Sequence, residues 1–412
     1  MKISQSISST LLVAITEALQ GGMITSYGTF SFEKDWESTT LGALDAEFAK
    51  SLSKALDGST LLSFVRDQLT LLRVLGATPL PKDDAPITKL KCFSDPLKTA
   101  RHIVSALEAV PNQYRLIVRV AVELGERVNS EAINIGLSER LTLLSGAMIS
   151  PTFKTHHEVP SVDTVIRRMV MKEDDLSIIP NALYLEYRTS GYLAARRQSR
   201  AISEFYDQVR AFYGACIAYN IISEYGTWGD EITPFLLGDS ISNGLEEFAY
   251  VERAEDDVVN CANLATSDKT DQAIKAETSL EKILEPVRPV FKSDNSLKLK
   301  TACAWALRAH LSNRGLDKIL ESAITIEVLM GDRDTSDRVG LSKLIANRCA
   351  YALGDSNKSR SDMIDFFVKF YRVRSEVVHS GRTALEPDER RIVNEGLTLA
   401  TRILKHEISL AR

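Results

Sequence analysis

The residues best suited to chemistry stand near the C-terminus, where Phe370-Tyr371 runs into Arg372-Val-Arg374-Ser-Glu-Val-Val-His379-Ser-Gly381. Nowhere else in the chain does an arginine precede a histidine by four to six intervening residues. A permanently charged guanidinium and an imidazole that titrates near neutrality are the minimum set for phosphodiester cleavage without a metal. The guanidinium offers a planar fork to phosphate oxygens, and the imidazole can give or take a proton.

Other chemistries find less support. Cys92, Cys216, Cys261, Cys303 and Cys349 are scattered, odd in number and never at metal-ligand spacing. They read as buried structural thiols in a reducing, cytoplasmic compartment. His156-His157 has no cysteine or Glu-x-x-His partner and reads as a solvated loop, so no metal and no cofactor is expected. Walker-type, Gly-x-Gly-x-x-Gly and Gly-x-Ser-x-Gly motifs are all absent from the sequence, which removes ATPase, dinucleotide and α/β-hydrolase readings. Tyr184 to Arg200 interleaves tyrosines with arginines and reads as the entrance of an amphipathic helix with a solvated basic face. A base-stacking surface is the alternative there, and Arg167-Arg168 is similar. Trp36 and Trp228 either anchor the N-terminal region or mark a recognition surface.

At 412 residues, with 44% hydrophobic and 25% charged side chains, the chain has an ordinary globular composition and room for two or three domains. No apolar run approaches the roughly 20 residues that a bilayer requires, so no membrane contact is expected. Leu11 to Ile15 reads as part of a first amphipathic helix rather than a signal peptide, because Glu17 interrupts it. The net charge of −5 is uneven. Residues 287–412 hold 22 Lys and Arg against 16 Asp and Glu, a net of +6, which leaves −11 on the remainder. A basic C-terminal unit beside an acidic N-terminal one suits a polyanion-binding domain that an acidic region restrains.

Helical periodicity dominates, and the fold class expected is mostly α: an N-terminal helical region, 1–285, and a C-terminal antiparallel helical bundle, 286–412. In the first region helices are expected over 8–19, 41–56, 60–75, 96–109, 113–126, 137–147 and 198–224, with one short hairpin at Ile24 to Phe32. Pro81 to Pro86, Pro151 to Pro160 and Ser267 to Asp271 read as loops.

The C-terminal unit has more definite punctuation. Helices are expected over Leu297–Ser312, over Leu316–Met330 (apolar almost all round, hence central) and over Leu341–Leu353, with Gly354 as a left-handed stop. Glu327 lies on the apolar stripe of the second and needs a partner if buried. Ser359 or Ser361 is expected to cap a fourth helix with core positions Met363, Phe366, Phe367, Phe370, Val373 and Val377, ending at Gly381. Pro387 opens a fifth that runs to about Ile408.

Several of these segments together resemble an ApeA-like HEPN domain: Ala304-Trp-Ala-Leu-Arg-Ala-His310, Ile324 to Met330, Leu344 to Ala350, and above all Phe370 to Gly381. The last is similar to the family wording Tyr-x-x-Arg-Ser-x-x-Val-His-Gly, with Ser380 standing between His379 and Gly381. The resemblance covers about 125 residues, near 290–408. It implies a metal-independent endoribonuclease that leaves 2′,3′-cyclic phosphate ends and serves as an antiviral, abortive-infection or toxin effector. It also implies pairing of two protomers through the C-terminal domain, so that both motifs line one cleft. RNA, with transfer RNA as one candidate, is the implied partner, and residues 1–285 would meet a trigger or inhibitor protein. His379 would handle the proton of the 2′-hydroxyl or of the leaving 5′-oxygen, and Arg374 would stabilise charge on the phosphate. A non-catalytic HEPN-like dimerising scaffold and a nucleic-acid-binding regulator are the alternatives.

Helix geometry complicates that assignment. Positions i and i+5 are about 140° apart on a continuous helix, whereas i and i+7 lie within about 20°. Either the helix is distorted near Ser375, or two chains combine, or Arg372 holds the phosphate. The family wording favours Arg374, with Arg372, Ser375 and Glu327 auxiliary.

Overall fold

The computed structural model describes residues 3–75, 78–128, 132–149, 178–192, 200–226, 235–240, 249–331, 340–380 and 382–411. It is mostly helical, 66% helix against 11% strand, as the periodicity predicts.

Residues 3–110 form a unit with its own apolar core. Helix α1 (Gln5–Gly21) is capped by Ser4, whose hydroxyl accepts from the Ile7 amide at 3.3 Å. It packs against α3 (Pro96–Ala109), and its Leu11, Ile15 and Leu19 share one apolar core with α3 and α2 (Leu61–Leu75). The expected hairpin is present: β1 (Met23–Ile24) pairs antiparallel with β2 (Phe30–Ser31), and β3 (Ala85–Pro86) joins the other side of β1. Trp36 anchors this unit, since its indole N–H donates to the Ala14 carbonyl at 2.9 Å.

The next segment departs from the expected run of helices. Residues 112–253 build a six-stranded antiparallel sheet from β4 (Asn112–Val120), β5 (Asn134–Gly136), β6 (Leu141–Ser145), β7 (Leu183–Gly191), β9 (Phe235–Ser240) and β10 (Ala249–Arg253), in the order β10-β9-β4-β7-β6-β5. A separate short strand, β8 (Ile222–Gly226), pairs with β11 (Leu264–Thr266). Helices are thus absent over most of 113–126 and 137–147, apart from short turns at Val122–Arg127 and Gly146–Ile149. The cause is that Tyr114, Leu116, Val118 and Val120 alternate strictly and three of these four face one apolar layer with no exposure at all.

Tyr184 to Gly191 is likewise β7, not a helix entrance, with Leu183, Leu185 and Tyr187 on the same layer. The helix expected at 198–224 is α4 (Arg200–Ala218), and Asn220, with φ at 55°, turns the chain into β8. Ser267 to Asp271 is a helix start rather than a loop, because the Ser267 hydroxyl accepts from the Thr270 amide at 3.2 Å. His156-His157, Arg167-Arg168, Trp228 and the loop at Pro151 to Pro160 lie outside the described residues.

Helices α5 (Ser296–Leu311), α6 (Gly315–Met330), α7 (Leu341–Leu353), α8 (Asn357–Ser380) and α9 (Pro387–Leu410) follow the expected boundaries closely. Helix α6 is central, touching α5, α7, α8 and α9. Two details differ. Ser356, not Ser359 or Ser361, caps α8 by accepting from the Ser359 amide at 3.1 Å. Gly354 is extended, with φ −85° and ψ 124°, rather than left-handed.

One apolar cluster runs from the sheet through α4 into all of these helices, crossing residue 285 without a break. The junction is a close approach of α4 and α5, where a Cβ on Gly214 would stand 2.0 Å from the Cys303 carbonyl oxygen. Cys216, Cys261, Cys303 and Cys349 are buried, as expected, and burial raises each thiol, Cys349 to about 12, so they stay protonated. No helix among the described residues is long and apolar enough to cross a membrane.

Candidate functional site

The motif lies on the last three turns of α8, which continues to Ser380 with no break at Ser375. Its buried stripe is Phe367, Phe370, Val373 and Val377, as the spacing predicts. That fixes the rotation of every other side chain on the helix. Distortion near Ser375 is therefore excluded as a way to bring Arg374 and His379 together.

Arg374 flanks the buried stripe. Its side chain is 27% exposed, and Nη2 lies 3.4 Å from Oε1 of Glu327 on α6. The guanidinium carbon also sits 5.9 Å from the centre of the Tyr371 ring, and Nε is buried without a hydrogen-bond partner. The Tyr371 hydroxyl donates to the same Glu327 carboxylate. Burial first, and the neighbouring carboxylate second, raise the Tyr371 hydroxyl well above the ordinary phenol range, so it remains a donor. Glu327 thus finds the partners its place on an apolar stripe demands. Replacing Glu327 by Ala strands the Tyr371 hydroxyl and the Arg374 cation, and should cost about 1–3 kcal/mol of stability by urea unfolding.

The opposite face of α8 points to solvent. Arg372 is 70% exposed, and Nε is 3.9 Å from Oε1 of Glu376 one turn on. Ser375 and His379 are exposed on the same stripe, and His379 makes no hydrogen bond or ion pair with the described residues. Arg372 also satisfies the motif spacing, with six residues between it and His379. The chain therefore brings Arg372 and His379 onto one face and holds Arg374 on another.

A network behind this face was not legible in the sequence. Arg382, beyond the turn after α8, donates to Glu376 at 3.0 Å and forks onto Glu389 of α9 at 2.8 and 2.6 Å. The Glu389 carboxylate also accepts from the Glu386 amide at 2.8 Å, closing the first turn of α9. Arg382's hydrogen bonds hold the Glu389 carboxyl below its usual range.

The sign of the resulting pH effect follows from that direction. A depressed carboxyl contributes stability above its unfolded pKa of about 4.3, and that contribution disappears as pH falls through the lower folded value. Arg382→Gln should therefore melt below the wild type at pH 7 and converge with it as pH falls through the depressed Glu389 value. Melting temperatures measured from pH 7 to 3 check this.

No group of three or more His, Cys, Asp or Glu able to hold a metal ion occurs among the described residues. No family model, curated protein or solved structure matches this chain.

Proposed function

We propose that the chain is a HEPN-type endoribonuclease whose proton chemistry resides at His379 and whose phosphate ligand is Arg372. The observation that carries this reading is the exposure of both side chains on one face of an unbroken helix. His379 stands in the last turn of α8, with its side chain open to solvent. Among the described residues the one ion pair of Arg372 is a long contact to Glu376, which leaves its fork open to phosphate oxygens. Attack of the RNA 2′-oxygen on phosphorus, with His379 protonating the departing 5′-oxygen, gives a 2′,3′-cyclic phosphate and a free 5′-hydroxyl. Arg374, bonded to Glu327 beside Tyr371, fixes the turn that presents these groups.

A homodimer through this face follows from the same reading. Val368, one turn before Arg372 on the same side of α8, is 62% exposed, and pairing of two copies there would set two motifs in one cleft. In a host cell such an enzyme acts as a defence or toxin effector, and its expression arrests growth. The direct test is purified protein with transfer RNA in excess EDTA, followed by sequencing of the new ends. Cleavage with cyclic-phosphate ends is expected; intact RNA, or cleavage that appears only with added magnesium, rejects the reading.

A further inference from the structure

Transphosphorylation of RNA needs a group that takes a proton as well as one that gives it. Within two helical turns of His379 on the exposed side of the helix stand the polar residues Arg372, Ser375, Glu376 and Ser380. The Ser380 hydroxyl donates to the Glu376 backbone carbonyl, an unactivated hydroxyl such as that of Ser375 is no base near neutral pH, and an arginine cannot act as one. Only Glu376 remains. It precedes His379 by three residues, so their Cβ atoms lie about 5–6 Å apart on the same side of the helix. That spacing can bracket one phosphodiester between a carboxylate and an imidazole.

Glu376 is also oriented. Its side chain is 46% exposed, with Oε1 toward Arg372 at 3.9 Å and Oε2 accepting from Arg382 at 3.0 Å. Arg382 is itself held by two hydrogen bonds to the largely buried Glu389. The carboxylate is thus tied to the start of α9 and turned toward the open face. One oxygen stays clear of the stronger ion pair.

We infer that Glu376 is a further catalytic residue, the proton acceptor that works opposite His379. Its carboxylate removes the 2′-hydroxyl proton as the O2′–P bond forms. The P–O5′ bond breaks, and the 5′-oxygen takes its proton from the His379 imidazolium. Arg372 carries the charge of the non-bridging oxygens throughout. Product release returns the Glu376 proton to water and water reprotonates His379, so the cycle balances. One chain then contains a complete acid–base pair, and a second copy contributes a cleft wall instead of a missing base.

This inference rests on the ribonuclease reading, and the test separates the two. Cleavage of transfer RNA in EDTA is measured from pH 4.5 to 9 for wild type, Glu376→Gln, Glu376→Asp and His379→Ala. Wild type should give a bell-shaped profile. Glu376→Gln should lose about 100-fold at the optimum and lose the low-pH limb, while Glu376→Asp restores that limb at reduced rate. A salt bridge alone would lower the melting temperature of Glu376→Gln and leave the shape of its profile intact. That outcome, with His379→Ala inactive, overturns the role of Glu376 and spares the ribonuclease reading. Full cleavage by His379→Ala removes both.

Discussion

Alanine at His379 is expected to lower EDTA-resistant cleavage of transfer RNA by about 100- to 10,000-fold, the range that a positioned proton donor contributes. The variant should fold normally, because the imidazole is exposed and makes no contact that the fold uses. The two arginines then divide by position. Arg372→Ala removes an exposed cation beside His379 and should cost about 100-fold in rate with little change in stability. Arg374→Ala should show the reverse. It removes a half-buried partner of Glu327, for a loss of about 1–2 kcal/mol, and less than about tenfold in rate. A series in which Arg374→Ala is the dead variant and Arg372→Ala stays active would return the phosphate to Arg374. Helix α8 would then have to meet a second chain, or unwind, for Arg374 to reach it.

The contrast between these arginines was partly legible in the sequence. Phe367, Phe370, Val373 and Val377 mark the buried side of α8, and from that stripe the outward placement of Arg372 and His379 follows by rotation alone. What pins Arg374 is a residue 47 positions earlier, Glu327, together with Tyr371, whose ring lies beside the guanidinium and whose hydroxyl donates to that carboxylate. Periodicity within one helix holds no information on such a contact between helices. The Arg382 network is harder still, because the chain reverses between α8 and α9 and the reversal has no repeating pattern.

The sheet was missed for a different reason. In Tyr114-Arg-Leu-Ile-Val-Arg-Val120, apolar residues satisfy both the two-residue and the helical period, so the pattern alone does not separate strand from helix. Tyr184-Leu-Glu-Tyr-Arg188 has a clean alternation, Leu185 and Tyr187 inward and Glu186 and Arg188 on the other face. Its interleaved tyrosines and arginines also fit the entrance of an amphipathic helix, and over so short a stretch the two periods compete. The C-terminal helices escaped both problems, since each is longer than any strand and is bounded by Gly, Ser or Pro.

Gly214→Val should be the most destabilising of the substitutions away from the site, by about 3 kcal/mol or more. A Cβ at this position would meet the Cys303 carbonyl oxygen at 2.0 Å, its carbon at 2.6 Å and the Cys303 Cα at 3.0 Å. These are backbone atoms in the middle of α5, so no rotamer change relieves the clash and the two helices must separate. Gly136→Ala is the control, because an added Cβ there meets nothing within 4 Å. The form of the unfolding curve matters as much as its midpoint. Apolar contact between α4 and α5 joins the sheet layer to the C-terminal helices, so the two should unfold together. If Gly214→Val shifts a single transition to lower urea, the region that presents His379 depends on the sheet for its stability. If instead a second transition persists unchanged while the first is lost, residues 286–412 fold on their own and α4 merely rests against them. In the first case a ligand or partner acting on the sheet reaches the α8 face through packed side chains; in the second it has no such route.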